Sequence, residues 1–273
     1  MDFLTLTARD GATVRICHQG AHVCSWIPAQ GTEQLFLSKR TEFREGVAIR
    51  GGVPVIFPQF AGLGTLPKHG FARTAPWSLV QQGHTDDGAA QAVFRLKENI
   101  ARLTIWPYVF TAELAVSVVD NLLQIALSIS NTGDTSFHFT SALHTYLAVD
   151  NVHQARLRGL QGTYYRDSLT GTDRCHESAE LLQITDETDR IYANVPDQLC
   201  LQQAHQHLHI NTTGFADAVI WNPGPAGAVK LSDMEDDGYL RMLCVEAATI
   251  MRPITLAPGE SWSGSQSFMV SKL

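Results

Sequence analysis

The strongest constraint on the fold is a two-residue rhythm in the middle of the chain. Leu114, Val116 and Val118 alternate with smaller or polar residues across Ala112–Val119, and Leu123, Ile125, Leu127 and Ile129 do the same across Leu122–Ser130. Successive side chains of a strand point to opposite faces, so each run presents one apolar face to a core. Asp120-Asn121 separates the runs by two residues, the length and chemistry of a tight hairpin turn. Asn131-Thr132-Gly133-Asp134 ends the second run with turn formers. Further strands are expected at Thr13–Cys17, Ser78–Gln82, Ala92–Leu96, Leu199–Gln203, His207–Asn211, Ala218–Trp221 and Met242–Ala247, with turn clusters at Gln82–Gly88, Asn222–Gly227 and Ala257–Glu260. Short helical pieces are expected at Ser38–Glu45 and Ser232–Tyr239, and no amphipathic helix exceeds three turns. No Pro/Gly/Ser linker or internal repeat divides the chain. The expectation is one all-β domain over residues 1–273, built of packed, mostly antiparallel sheets.

At 44% hydrophobic and 17% charged residues, the chain has too much apolar content and too little charge to remain disordered. Its net charge of −7 argues against nucleic acid as a partner. No apolar run reaches bilayer-spanning length, and Met1–Thr5 lacks the features of a secretory signal. Cys17, Cys24, Cys175, Cys200 and Cys244 are odd in number and dispersed, with no C-x-x-C pair, so a reducing cytoplasmic setting is expected. An acidic surface with no apolar stripe leads us to expect a monomer.

The charge is uneven. Lys39, Arg40, Arg44, Arg50, Lys68 and Arg73 face only Glu42 and Glu45 in their window, a net +4. The rest of the chain holds 14 basic against 25 acidic residues, a net −11. Such a stretch is either a solvated loop or a local attractor for a small anion.

The chain lacks G-x-G-x-x-G, Walker, G-x-S-x-G and H-E-x-x-H motifs, which removes the simple readings of dinucleotide, P-loop, hydrolase and zincin chemistry. His205, His207 and His209 would share one strand face, but no nearby Cys or carboxylate completes a metal set; an exposed polar face is expected, with no metal and no cofactor.

Four segments carry candidate chemistry. In Ile49–Pro58, Arg50 precedes two glycines that would let backbone approach a ligand, and its guanidinium suits a phosphate or carboxylate; the alternative is a buried arginine satisfying loop carbonyls. In Pro67–Arg73, Lys68, His69 and Arg73 gather donors with no acid to balance them, with Gly70 and Ala72 leaving space; an oxyanion or a hydroxyl-rich ligand would supply the missing acceptors, and the alternative is a turn whose donors face water. His144 lies in the apolar, β-prone Phe137–Val149 run, either as a hydrogen-bonded core residue or as a proton donor. Glu246 is an isolated carboxylate in the buried-strand run Leu243–Ala248; it must be paired, for instance with an arginine, or face a cleft as a general base. Asp189 sits in a charged stretch expected to be exposed.

An ordered set of phrases runs from Ile49 to Glu246: IRGGVPVIFPQF (Ile49–Phe60), HGFARTAPW (His69–Trp77), WPYVF (Trp106–Phe110), ALHTYL (Ala142–Leu147), GLQGTYYRD (Gly159–Asp167), DRIYAN (Asp189–Asn194), VIWNP (Val219–Pro223) and CVE (Cys244–Glu246). Together they resemble the aldose 1-epimerase (galactose mutarotase-like) superfamily, and within it the glucose-6-phosphate 1-epimerase, or hexose-6-phosphate mutarotase, branch. The resemblance implies a β-supersandwich with an open cleft and interconversion of the α and β anomers of a hexose 6-phosphate, a small-molecule sugar phosphate being the partner. It implies that His144 and Glu246 are catalytic, that Arg50 and Arg73 meet the sugar phosphate, that Asp189 binds the sugar and that His69 lies in the site. Lys68 stands where some relatives have an amide, and a cation there suits a phosphate. Gly224 follows Trp221-Asn222-Pro223 where an aromatic is common, which implies a more open edge. Glu246 would act as base and His144 as acid in ring opening, with the roles reversed on closing. An enzyme of free aldoses and a non-catalytic sugar-phosphate-binding protein are the alternatives.

Overall fold

The computed structural model describes residues 1–273. Its strands, in chain order, begin with β1 (Phe3–Thr7), β2 (Thr13–Cys17), β3 (His22–Ile27), β4 (Val55–Ile56), β5 (Ser78–His84), β6 (Ala90–Lys97), β7 (Phe110–Val119) and β8 (Leu122–Asn131). Then come β9 (Phe137–Leu143), β10 (Tyr146–Ala148), β11 (Arg156–Arg158), β12 (Tyr164–Asp167), β13 (Thr172–His176) and β14 (Leu181–Leu182). The last are β15 (Thr188–Ala193), β16 (Gln198–Gln202), β17 (Gln206–Thr213), β18 (Asp217–Asn222), β19 (Met242–Leu256) and β20 (Ser261–Lys272). The two α-helices are short, α1 (Ile100–Ile105) and α2 (Gly224–Lys230), and neither is long and apolar enough to cross a membrane.

The protein is all-β, with its strands in antiparallel sheets packed on one another. A nine-stranded sheet runs β14-β11-β16-β17-β20-β8-β7-β6-β5, and an eight-stranded sheet runs β13-β12-β15-β18-β19-β9-β4 with β10 also paired to β19. β1, β2 and β3 form a third, small sheet. The β7–β8 hairpin turns at Asp120-Asn121 and alternates buried and half-buried residues along both strands, so one face feeds the core. β18 and the first nine residues of β19 are instead buried on nearly every side chain. They form the middle of the eight-stranded sheet, with the core beneath one face and the functional cleft above the other.

The expected helix at Ser38–Glu45 is absent. Ser38 N–H donates to the Arg50 carbonyl at 3.0 Å and Lys39 N–H to the Glu235 carboxylate at 3.2 Å, so these backbone donors are drawn into long-range contacts. Ser232–Tyr239 contributes only the start of a 3₁₀ turn at Gly238–Arg241. The helix forms earlier, in part of the expected Asn222–Gly227 turn. There the Asn222 side chain accepts from Gly224 N–H at 2.9 Å and donates to the Tyr239 and Met242 carbonyls at 2.8 Å each, fixing the start of α2. His207 and His209 stand on the outer face of β17, while Leu208 and Ile210 point inward.

Gly51 and Gly70 bring the loops together, by a route different from the one the sequence suggested. A Cβ on Gly51 would lie 2.3 Å from the Phe36 carbonyl oxygen, so this glycine admits neighbouring backbone rather than a ligand. Gly70, at φ +66°, would place a Cβ 2.2 Å from the Phe57 carbonyl oxygen. Only glycine lets the Pro67–Arg73 segment cross the Ile49–Pro58 segment at this distance. Beneath the crossing, the Phe57 ring packs on Trp106, Phe110 and Phe139 with centroids 5.3–5.4 Å apart. The WPYVF phrase therefore contributes Trp106 and Phe110 to the aromatic support of the crossing.

Candidate active site

Strand register lays out the floor of the cleft. Arg166, Ile191, Val219 and Glu246 are successive partners across β12, β15, β18 and β19. One row over, Asp189, Trp221, Cys244 and Tyr146 are successive partners across β15, β18, β19 and β10. Partnered residues on neighbouring antiparallel strands share a face, so both rows look the same way.

His144 enters this floor because the sheet breaks beside it. β9 ends at Leu143 and β10 begins at Tyr146, and in the gap His144 N–H donates to the Pro54 carbonyl at 3.0 Å. The gap is held from below by a buried polar bridge. Thr145 Oγ1 donates to Gln266 Oε1 at 2.7 Å, Gln266 Nε2 donates to the Val245 carbonyl at 3.0 Å, and Val245 N–H donates to the Thr145 carbonyl at 3.1 Å. The residues adjoining His144 and Glu246 are thus fastened together through β20.

The outcome is an ion-pair geometry, with His144 Nε2 3.3 Å from Glu246 Oε1. Glu246 is 1% exposed and His144 9%. Glu246 Oε2 has no hydrogen-bond partner within the protein. The other ring nitrogen, His144 Nδ1, lies 3.7 Å from Cys244 Sγ. The ring stacks on Tyr146 at 4.9 Å and 11°, with His69 at 5.7 Å and Trp221 at 6.0 Å presented at steep angles. Glu246 therefore pairs with an imidazole and not with an arginine.

Burial, reinforced by the Asp189 charge, pushes the Glu246 carboxyl well above its usual range. Burial, reinforced by His69, Arg50 and Arg73, pulls His144 well below its own. Both directions have one origin: in a low-dielectric site the pair is best accommodated with zero net charge. That is the state in which a neutral imidazole and a carboxylate share one extra proton. The titration of so close a pair belongs to the pair rather than to either residue.

His69 is buried beside this pair. Its Nδ1 accepts from Ala61 N–H at 3.2 Å, which leaves Nε2 as the nitrogen bearing hydrogen. Burial, with Arg73, Lys68 and Arg50 nearby, pulls it down to about 3, so it is a neutral donor at physiological pH.

The two arginines differ. Arg50 Nε donates to Asp233 at 3.1 Å and its NH1 to the Tyr146 hydroxyl at 2.9 Å. Burial opposes its charge, but Tyr146 and Asp233 outweigh burial and hold it above the ordinary guanidinium value. Arg73 makes one side-chain hydrogen bond, NH2 to the Lys68 carbonyl at 3.2 Å, and no ion pair. Burial lowers its pKa, and Arg50 pushes the same way. A guanidinium stays charged regardless, so Arg73 is a half-buried cation with most donors uncommitted. Lys68 is exposed at the rim.

All seven residues expected from sequence — Arg50, Lys68, His69, Arg73, His144, Asp189 and Glu246 — line one cavity of about 390 Å³. Asp189 is not exposed as expected: it is half-buried in the cleft, and burial raises its carboxyl pKa. Tyr146, Arg166, Ser168 and Trp221 also line the cavity, and Asp233 and Cys244 touch its members. The ALHTYL and VIWNP phrases contained Tyr146 and Trp221, but nothing local marked their roles. Only sheet pairing brings them beside His144.

Residues 2–269 match the family model for aldose 1-epimerase. A protein of Cenchrus ciliaris named "Putative glucose-6-phosphate 1-epimerase" is 34% identical over 90% of this chain and 77% of its own length. An Escherichia coli K12 protein of the same name is 39% identical over 84% of this chain and 77% of its own length. The crystal structure of the Salmonella typhimurium protein YeaD, described as a "putative mutarotase", superposes with a TM-score of 0.88 at 31% identity, covering 96% of this chain and 88% of that one.

Proposed function

The chain belongs to the aldose 1-epimerase family, and on that premise we propose that it interconverts the α and β anomers of a hexose 6-phosphate such as glucose 6-phosphate. The observation that carries this reading is the buried His144–Glu246 pair, 3.3 Å apart, at the foot of a cleft with an unpaired Arg73. A binding protein has no need of a matched acid and base, and a site for neutral sugars has no need of a half-buried cation without a counter-ion.

In ring opening, the carboxylate of Glu246 takes the proton of the anomeric hydroxyl and the C1–O1 bond becomes a carbonyl. The C1–O5 electron pair moves to O5, which takes the proton from His144 Nε2. The enzyme ends with the proton count it began with, now with the carboxyl protonated and the imidazole neutral. Rotation about C1–C2 turns the other aldehyde face to O5, and the reverse transfers close the ring. Each positioned proton-transfer group contributes on the order of 10²–10⁴ in rate. In this reading Arg73 and Arg50 hold the phosphate with Lys68 at the rim, His69 Nε2–H donates to a sugar oxygen, and Asp189 accepts from a sugar hydroxyl.

We take residues 1–273 to act as one unit, as a monomer in the cytoplasm; five unpaired thiols suit that compartment. The test is an NMR exchange measurement of α/β interconversion for glucose, glucose 6-phosphate and other hexose 6-phosphates. Enzyme-dependent exchange favouring the phosphorylated sugars is the expected result. Preference for free aldoses, or binding without exchange, overturns the reading.

A further inference from the structure

We propose that Cys244 is a positioning residue: its sulfur accepts the Nδ1–H of His144 and thereby makes Nε2 the nitrogen that exchanges a proton with substrate. The inference rests on the acid/base reading above. It starts from the two opposite contacts of one ring, Nε2 to Glu246 Oε1 at 3.3 Å and Nδ1 to Cys244 Sγ at 3.7 Å. Tyr146 stacked at 4.9 Å and the rings of His69 and Trp221 confine the imidazole, so it holds this orientation rather than turning over.

Proton counting then requires an acceptor at Nδ1. When the pair holds one extra proton, the ring is either an imidazolium or a neutral imidazole accepting at Nε2 from the Glu246 carboxyl. Nδ1 carries hydrogen in both. When Nε2 has given its proton to the ring oxygen of the sugar, Nδ1 carries hydrogen still. Sulfur is a weak acceptor, and it is the only side-chain partner this nitrogen has.

The chemistry of the thiol fits the task. Cys244 is 0% exposed and absent from the cavity lining, so it cannot reach substrate as a nucleophile. Burial, then the Glu246 charge, raises its pKa well above the ordinary thiol value, so it stays neutral. A carboxylate at this position would hold the proton on the imidazole by charge. A neutral sulfur fixes the tautomer while leaving the imidazolium a strong enough acid to release its Nε2 proton.

The experiment is the imidazole ¹⁵N spectrum of the full chain labelled at histidine, alongside anomer-exchange kinetics on glucose 6-phosphate, for the natural protein, Cys244→Ser and Cys244→Ala. His144→Asn serves only to assign the signal. The expected spectrum of the natural protein has hydrogen on Nδ1 of His144. Cys244→Ser, whose hydroxyl also accepts, keeps that tautomer and most of the turnover. Cys244→Ala gives a tautomer mixture and lowers kcat about tenfold with KM nearly unchanged. Hydrogen found on Nε2 with a bare Nδ1 overturns the proposal. So does a Cys244→Ala variant with unchanged tautomer, or one that loses KM rather than kcat. If Cys244→Ala does not fold, the natural and serine spectra decide. If no sugar shows exchange with the natural protein, the proposed function fails, while the tautomer assignment is still judged by the spectrum.

Discussion

Replacing Arg73 with alanine separates phosphate recognition from chemistry more cleanly than any other change at the site. Arg73 has no acidic partner and one side-chain hydrogen bond, to the Lys68 carbonyl, so its removal strands no buried charge. Arg50→Ala, by contrast, would leave both Asp233 and the Tyr146 hydroxyl without their donor. The backbone of the 3₁₀ turn that carries Arg73 is held by Phe71 and Ala72 N–H groups donating to the Phe57 carbonyl at 3.1 and 3.2 Å, so the turn survives the substitution. A hydrogen bond to a charged group contributes about 1.5–3 kcal/mol. At about 1.4 kcal/mol per decade, kcat/KM for glucose 6-phosphate should fall roughly 10- to 150-fold. Exchange of free glucose should change by less than about threefold, since a neutral sugar offers that guanidinium no charge. The assay is NMR exchange spectroscopy on both sugars, with inorganic phosphate as a competitor whose inhibition weakens in the variant. Arg73 also repels a proton from His144, so the acid limb of the residual activity should move to higher pH. An equal loss on both sugars, or no loss on the phosphosugar, would rule out a phosphate-binding role for Arg73.

Three further outcomes follow from the same geometry. Because burial favours the pair with one extra proton, kcat should be level through neutral pH and fall on the acid side only where a second proton is forced in, below the ordinary imidazole range near 6.5; an acid limb at or above that value in the pH–rate profile contradicts it. Glu246→Gln should cost about 10²–10⁴ in kcat with the fold intact. The folded-state pKa of this carboxyl is raised, so its burial lowers stability progressively as pH climbs from the unfolded value towards the folded one; the glutamine variant should therefore match or exceed the natural protein in Tm at neutral pH, and a lower Tm there sinks that argument. Gln266→Leu leaves the Thr145 hydroxyl and the Val245 carbonyl without their buried partner, at about 1–3 kcal/mol for each group in denaturant unfolding, and should lower kcat because those residues adjoin His144 and Glu246; full activity with full stability would remove Gln266 from the positioning argument.

What the sequence made legible depended on how far apart the deciding contacts lie. The β7–β8 hairpin was readable because its pairing partners are near neighbours and its inward residues are large and apolar. β20, longer than either hairpin strand and paired with β8 along nine residues, leaves no such trace: Ser261, Ser263, Gly264, Ser265, Gln266 and Ser267 give no apolar alternation. Its Gly264 is needed because a Cβ there would meet the Phe215 ring at 2.7 Å, and its Gln266 because buried Thr145 and Val245 require a polar partner. At the site, Glu246 stood out as a carboxylate in a buried run, and the demand that it be paired was sound. The partner, 102 residues away in the chain, is His144 rather than an arginine, since Arg50 is taken by Asp233. Asp189 reads as exposed from its charged sequence neighbours, which say nothing about the strand partner Trp221 that turns it into the cleft. Cys244 carried no local signal beyond its place two residues before Glu246.

That spacing of two shows why the chemistry is a property of sheet register. Along β19, Met242, Cys244 and Glu246 share the cleft side, while Leu243, Val245 and Ala247 enter the main core. A slip of one residue against β18 would send the carboxylate into hydrocarbon and Val245 towards the sugar, at a cost no single contact could offset. The apolar alternation that drives folding therefore also fixes the direction of the Glu246 carboxylate, and the same pairing brings Tyr146 against Cys244 to hold the imidazole between them. A surface site for proton transfer would need separate devices to exclude water and orient its groups. Here the strand that is covered on both faces carries the Glu246 carboxylate and the Cys244 thiol together and buries both.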